Sequence, residues 1–396
     1  MVKKRQIWKF IIHFVFILLF TAQTLAADTN PIQIGMTAPL SGEMQPIGEG
    51  VKIGVSVYFA KINAAGGING RKLVLIALDD AYDPIRAANN VRQLINPKIF
   101  AMIGNMGSAA GEVTEPIVDA ADTLLFAPIT GNAVYREVPP DRNVFNFRAS
   151  LKEETITLIH GALLMGIKPN EFAFFTQNDG FGDAVYQNAM NELKALGNPD
   201  PGKLPYGRFI RKTVDIEDAL AQIIDEAKQS PKAFILAGNY ESNAKFINLA
   251  HQQFPNAIFL AVSGRVRPRD VKNIDKLKLI TLELVPYLDS NLPAINDYLA
   301  DMKKYGAGVA PGYESLEGYL SAKVFVMAMQ KAAMKNNLTR SGVAAALESM
   351  HDVDVGIGVR INFDKNDHQA IHQVWPITII GDQLKPLKWP NFINSR

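Results

Sequence analysis

The sequence predicts an α/β protein built as two doubly wound lobes, and three observations predict it. Short apolar runs without polar alternation are separated by amphipathic helical patterns along most of the chain, the arrangement of parallel strands joined by helical crossovers. The alternation runs through once to about residue 127 and then restarts. At 396 residues, less a leader, the chain exceeds what one hydrophobic core supports, so two lobes are expected to share it.

Residues 1–27 read as a secretory leader. Lys3, Lys4, Arg5 and Lys9 make a positive start, residues 10–22 are apolar but for His13 and Thr21, and Thr24-Leu25-Ala26 offers small residues at the cleavage spacing. The apolar run is shorter than the ~20 residues a bilayer span needs, which favours cleavage over a retained anchor. No later stretch is long and apolar enough to cross a membrane.

In the first lobe, strands are expected at 32–36, 73–78, 99–103 and 124–127, with helices at 48–65, 84–95 and 109–121. Val51, Val55, Tyr58 and Ile62 fall on one stripe of the first helix, and Gly66-Gly67 ends it. A strand at 144–148 and a helix at 153–165 begin the second lobe. Strands at 172–175, 209–214, 233–237 and 258–262 follow, with helices at 182–196, 216–229 and 242–253. A helical block at 292–304, 316–333 and 339–350 comes next, with Thr339 and Gly342 marking a cap, and strands at 359–363 and 375–380 close the chain. No repeat of 20–50 residues and no low-complexity segment interrupts this order.

Charge and composition exclude several functions. Lys+Arg number 41 against 39 Asp+Glu, and four of the basic residues lie in the leader, so the remaining surface is close to neutral and carries no footprint for nucleic acid. There is no cysteine, which rules out disulfides and a lipid attached at a cleavage-site thiol. Gly48, Gly50 and Gly54 approximate a dinucleotide fingerprint with Asp79-Asp80 beyond it. However, the spacing is G-x-G-x-x-x-G, and eleven residues separate it from the first strand, so packing explains these glycines better. No Gly-x-Ser-x-Gly elbow occurs, and His160 and His251 fall within helical stripes, so no catalytic triad is expected. His368 and His372, beside Asp364 and Asp367, read as a surface turn rather than a metal site. The chain is expected to be no enzyme and to need no cofactor.

Ligands of open α/β sheets bind at the carboxyl ends of the strands, where residues 39–47 and 79–83 lie. Ser108 follows the third strand in Ile103-Gly-Asn-Met-Gly-Ser and precedes a helix. Its hydroxyl and the following N–H groups would welcome an anion, or it would simply cap the helix.

The stretch Ile32-Gln-Ile-Gly-Met-Thr-Ala-Pro-Leu-Ser-Gly-Glu, the helix ending Asn63-Ala-Ala-Gly-Gly-Ile-Asn-Gly-Arg-Lys and the strand closing on Asp79-Asp80-Ala-Tyr-Asp83-Pro84 resemble the leucine/isoleucine/valine-binding proteins of bacterial ABC importers. The likeness runs to about residue 385. It implies a type I periplasmic clamp with three hinge crossings, near 147–151, 281–285 and 353–358. Residues 28–147 plus 285–352 would then form the first lobe and 148–284 plus 353–396 the second. It also implies a free periplasmic monomer that holds a small organic ligand and delivers it to a membrane permease. A ligand-sensing module or a carrier of bulky apolar cargo are the alternatives.

The same resemblance assigns ligand contacts. The serine that holds a ligand carboxylate matches Ser108, and the loop Ala127-Pro-Ile-Thr-Gly puts Ile129 at a backbone contact and Gly131 at a threonine contact, with Thr130 one residue away. Aromatic lids match Phe181 and Tyr240. The founding member's disulfide positions are Tyr82 and Gly107 here. The carboxylate that pairs a ligand ammonium is replaced by Ser263, in a loop that also carries Arg265, Arg267 and Arg269. Because an ammonium buried without an ion partner costs several kcal/mol, a standard branched-chain amino acid is not expected as cargo. The three arginines suit acidic or neutral cargo, or ion pairs that help closure.

Overall fold

A computed structural model describes residues 30–96, 99–380 and 383–389; the leader lies outside them. The first sheet has the order β2-β1-β3-β4-β5, all parallel, from β1 (Ile32–Ala38), β2 (Leu73–Asp79), β3 (Ala101–Ile103), β4 (Leu125–Phe126) and β5 (Val144–Phe145). Helices α1 (Gln45–Ala64), α2 (Pro84–Ile95) and α3 (Ser108–Ala120) cover it. The strand at 144 was expected to open the second lobe. It instead pairs with β4 and closes the first sheet, because Val144 and Phe145 face first-lobe apolar neighbours.

The second sheet is larger. Helices α4 (Leu151–Leu164), α5 (Gly180–Ala195), α6 (Glu217–Glu226) and α7 (Tyr240–Gln253) flank β6 (Phe172–Gln177), β7 (Tyr206–Phe209), β8 (Ala233–Ala237), β9 (Ile258–Ala261) and β10 (Lys278–Glu283). These strands are parallel, and β13 (Trp375–Ile380) and β14 (Gln383–Pro386) add an antiparallel edge beside β10. Aromatic stacking fills this core, with the Phe175 and Phe246 rings 4.0 Å apart.

The helical block, α8 (Pro293–Tyr305), α9 (Tyr313–Met334) and α10 (Arg340–Glu348), returns to the first lobe. Helix α9 lies directly on α1. A Cβ added to Gly54 would stand 1.9 Å from the Ser315 carbonyl, so glycine there lets the two backbones touch. Thr339 caps α10 by accepting from the Gly342 amide at 3.0 Å.

The packing marks where the chain changes lobe. Phe147 belongs to the first core and Ala149 to the second; Leu284 belongs to the second and Val285 to the first. The third change differs from the sequence expectation. Val353–Asp354 (β11) pairs with Arg360–Ile361 (β12), and Val355, Ile357, Ile361, Phe363 and Ile371 bury themselves in the first core, so the chain crosses back only after Ile371, where Val374 enters the second core and Trp375 pairs with β10 while still packing on the first. The apolar side chains of 353–371 outweigh an early return. Half-buried Arg136 links the first and third crossings, donating to the Thr130, Asn132 and Arg148 carbonyls and, at 2.6 Å, to Gln369 Oε1.

Candidate functional site

The carboxyl ends of both sheets face a common space with a cavity volume of about 40 Å³. Ile47 of α1, Ile129 after β4, and Tyr313, Glu314 and Glu317 of α9 line it from the first lobe. Tyr240, Ser263, Gly264, Arg265 and Glu283 line it from the second, and Arg148, Leu284 and Val285 come from the crossings.

Both lobes are clamped on this space. Tyr240 opens α7, where Asn239 precedes the helix and Ser242 donates back to the Asn239 carbonyl, so the ring projects out of the second lobe into the first core. Its hydroxyl donates to Glu314 Oε1 at 3.1 Å. Burial, and the carboxylate beside it, hold the phenol well above its ordinary pKa, so it stays a donor. Arg211 lies 4.2 Å over the Tyr82 ring and donates to the Tyr82 carbonyl. Asn132 Nδ2 donates to the Gly180 carbonyl at 3.0 Å, and Asn239 Nδ2 to Glu43 Oε2 at 3.3 Å.

The wall is unusually rich in charge for a buried surface. Arg148 and Glu317 form a two-pronged pair at 2.7 and 2.5 Å, which satisfies both. Glu283 ends β10 beside the space with no ion partner among the described residues; burial, and then the nearby Glu314 and Glu317, push its carboxyl well above the usual range. Glu154, from α4, accepts from the Ser263 amide at 2.6 Å and the Ser263 hydroxyl at 3.0 Å. Burial raises its carboxyl to about 7 in spite of Arg148 and those bonds. Ser263 (φ 55°) and Gly264 (φ 64°) are both left-handed, the turn that aims the Ser263 amide at Glu154. Arg265 is 5% exposed and lies 5.3 Å over the Phe181 ring; its Nε has no partner.

The sequence-predicted residues divide between wall and support. Ile129, Tyr240 and Ser263 line the space. Ser108 and Thr130 stand behind Ile129 and bond to each other at 2.8 Å, both buried. Gly131 packs against the α4 start, where a Cβ would meet the Leu151 amide at 2.4 Å. Phe181 is buried in the second core as the floor under Arg265, rather than a lid open to the space. Tyr82 and Gly107 do adjoin: a Cβ on Gly107 would stand 3.1 Å from the tyrosine ring, so an aromatic contact fills that place.

Ser263 carries no carboxylate, but Glu154 and Glu283 bring two to that turn, from α4 and β10. Arg267 stacks 4.6 Å over the Tyr240 ring and pairs with Asp270 at 2.5 Å, and Arg269 lies 3.8 Å from Asp270, so only Arg265 of the three lines the space. The sequence signals of Glu283, Glu314 and Glu317 are slight: an acid at a strand end, and one acid in the first turn of a helix with a second three residues on. His372 pairs with Glu153 and Asp367, His368 stacks on Phe145, and no metal-holding group of acids and histidines exists among the described residues.

The sequence profile of the family described as periplasmic binding protein matches residues 31–383. The chain belongs to that family. A possible leucine/isoleucine/valine-binding protein from Rhodopirellula baltica SH 1 superposes with a TM-score of 0.85 at 33% identity, over 93% of this chain and 99% of that one. Leu/Ile/Val-binding protein homolog 7 of Brucella abortus (strain 2308) is 24% identical over 90% of this chain and 91% of its own length. Homolog 2 of the same strain is 27% identical, but the match spans only 43% of this chain and 45% of that protein. A branched chain amino acid ABC transporter from Thermus thermophilus with bound valine, at 16% identity and a TM-score of 0.74, shares the fold. These relatives carry binding-protein or transporter names, not enzyme names, and the two-lobed α/β architecture is theirs.

Proposed function

We propose that this periplasmic binding protein is the solute-binding component of an ABC uptake system and captures a small organic ligand between its lobes. The reading is carried by one observation: the Tyr240 hydroxyl of one lobe bonds Glu314 of the other across a walled space, so whatever fills that space is touched by both lobes only when they close. A ligand with that preference shifts the population to the closed clamp. The protein then works as a monomer in the periplasm, without lipid anchor or cofactor, and presents its closed form to a permease. The space is too small and too charged for bulky apolar cargo.

Ile129, Tyr240 and Ser263 serve as direct contacts on this reading, with Ser108, Thr130, Gly131 and Phe181 holding the walls. The cargo is not a standard branched-chain amino acid, a view now supported by the unpaired charge of the wall rather than by a lack of carboxylates. Native mass spectrometry of protein purified without denaturation tests the proposal. A retained small molecule, lost from the Tyr240→Ala variant, supports it; bare protein that no small-molecule extract of cells stabilises contradicts it.

A further inference from the structure

We infer that the interlobe space takes a small aliphatic cation: a short carbon chain whose charged nitrogen lies against Glu283 and Glu314 and which carries an oxygen that accepts from Arg265. The inference rests on the reading of this space as the ligand site and names the ligand's class.

The charges on the wall do not balance. Arg148 and Glu317 complete each other through their two bonds. What remains is Glu283 and Glu314, without ion partners among the described residues, against Arg265 alone. Among the described residues, Glu314 receives a hydrogen bond only from the Tyr240 hydroxyl. Glu154 stands behind Ser263 and adds a further acid. An ionised carboxylate enclosed without a counter-charge is costly, so burial, and then Glu314 and Glu317 of α9 with Glu154 of α4, opposed by Arg148 of the first crossing, favour a proton on Glu283. A cation supplied by the ligand removes that cost.

Arg265 supplies the second, independent observation. Its Nη1 reaches Asn239 Oδ1 at 3.5 Å and Met44 Sδ at 3.6 Å, both long, and its Nε has no acceptor although the residue is 5% exposed. A buried guanidinium N–H without an acceptor is costly, and a ligand oxygen would complete it. Ile47, Ile129, Leu284 and Val285 also line the space and offer a methylene chain apolar surface. Basic amino acids and their amides have this chemistry. A branched-chain zwitterion brings no net charge, and a dicarboxylate brings the wrong sign.

Titration calorimetry on protein stripped by unfolding and refolding, with L-lysine, L-lysinamide, L-leucine and succinate as probes, tests the assignment. Lysine or lysinamide should bind about a hundredfold more tightly than leucine or succinate, and Glu283→Gln should weaken the cation by about ten- to a hundredfold while leaving the unliganded melting temperature in place. The milder Glu314→Gln, which can still accept from Tyr240, should act in the same direction. Binding of neither cation, equal binding of leucine, or a Glu283→Gln variant with unchanged affinity for the cation overturns the inference. Solute binding itself survives any of these results as long as native mass spectrometry finds a retained compound.

Discussion

Tyr240 and Phe181 look alike in sequence, each an aromatic within two residues of a glycine after a strand of the second lobe, yet they do different work. Tyr240 crosses into the first lobe and lines the space, whereas Phe181 is sealed in the second core beneath Arg265. Tyr240→Ala should therefore weaken ligand binding by about 1 to 3 kcal/mol through lost apolar burial, with a modest change in unliganded stability. Phe181→Ala should cost about 3 to 5 kcal/mol of stability. Denaturant titration beside calorimetry separates the two; similar losses of stability would show that the tyrosine is core as well. At this scale the sequence was only half legible. Loop positions such as Ile129 and Ser263 could be found because the family resemblance marks the loops at those strand ends. Glu154, Glu283 and Glu314 could not, because they lie far apart in the chain and only the crossings bring them to one turn.

Elements followed their periodicity wherever apolar burial was local, as in α1 and β6. They departed from it where pairing partners came from afar: the short β5 joins the first sheet through β4, and the β11–β12 hairpin stays with the first lobe because its apolar residues fill that core. The contact of α1 with α9 depends on a missing side chain, so Gly54→Ala should destabilise by about 1 to 3 kcal/mol as the helices are pushed apart. Thermal unfolding would measure it, and an unchanged melting temperature would contradict the close approach.

The start of α4 carries a titrating cluster. Hydrogen bonds to Asp367 and Glu153 raise the His372 imidazole to about 10. Burial alone would raise Glu153, but the bonds from His372, Ser150 and Gln369 bring it down to about 2. The histidine contribution is then complete below its unfolded pKa of about 6.5 and is lost as pH rises through about 10. The glutamate contribution is complete above about 4.5 and is lost as pH falls through about 2. Because His372 is half exposed, its share is at most about 1 kcal/mol. His372→Gln should lower the melting temperature at pH 6 and converge with the parent near pH 11. A constant difference across that range would show that the pair does not act by charge.

For the whole molecule, alternation of strands and helices made two doubly wound lobes legible, since each apolar run needs a covered parallel sheet. The leader predicts a mature protein in osmotic-shock fluid, beginning near Ala27 or Asp28, and recovery only with washed membranes would contradict it. The central claim is that the lobes close on a ligand. The cysteine-free chain accepts a single pair of spin labels at exposed Asp119 of α3 and Gln187 of α5, whose distance reports closure. Pulsed dipolar spectroscopy on stripped protein should give a long, broad distance distribution that collapses to one short distance when a small-molecule extract of cells is added. The same short distance with and without extract would contradict a clamp that closes on its cargo.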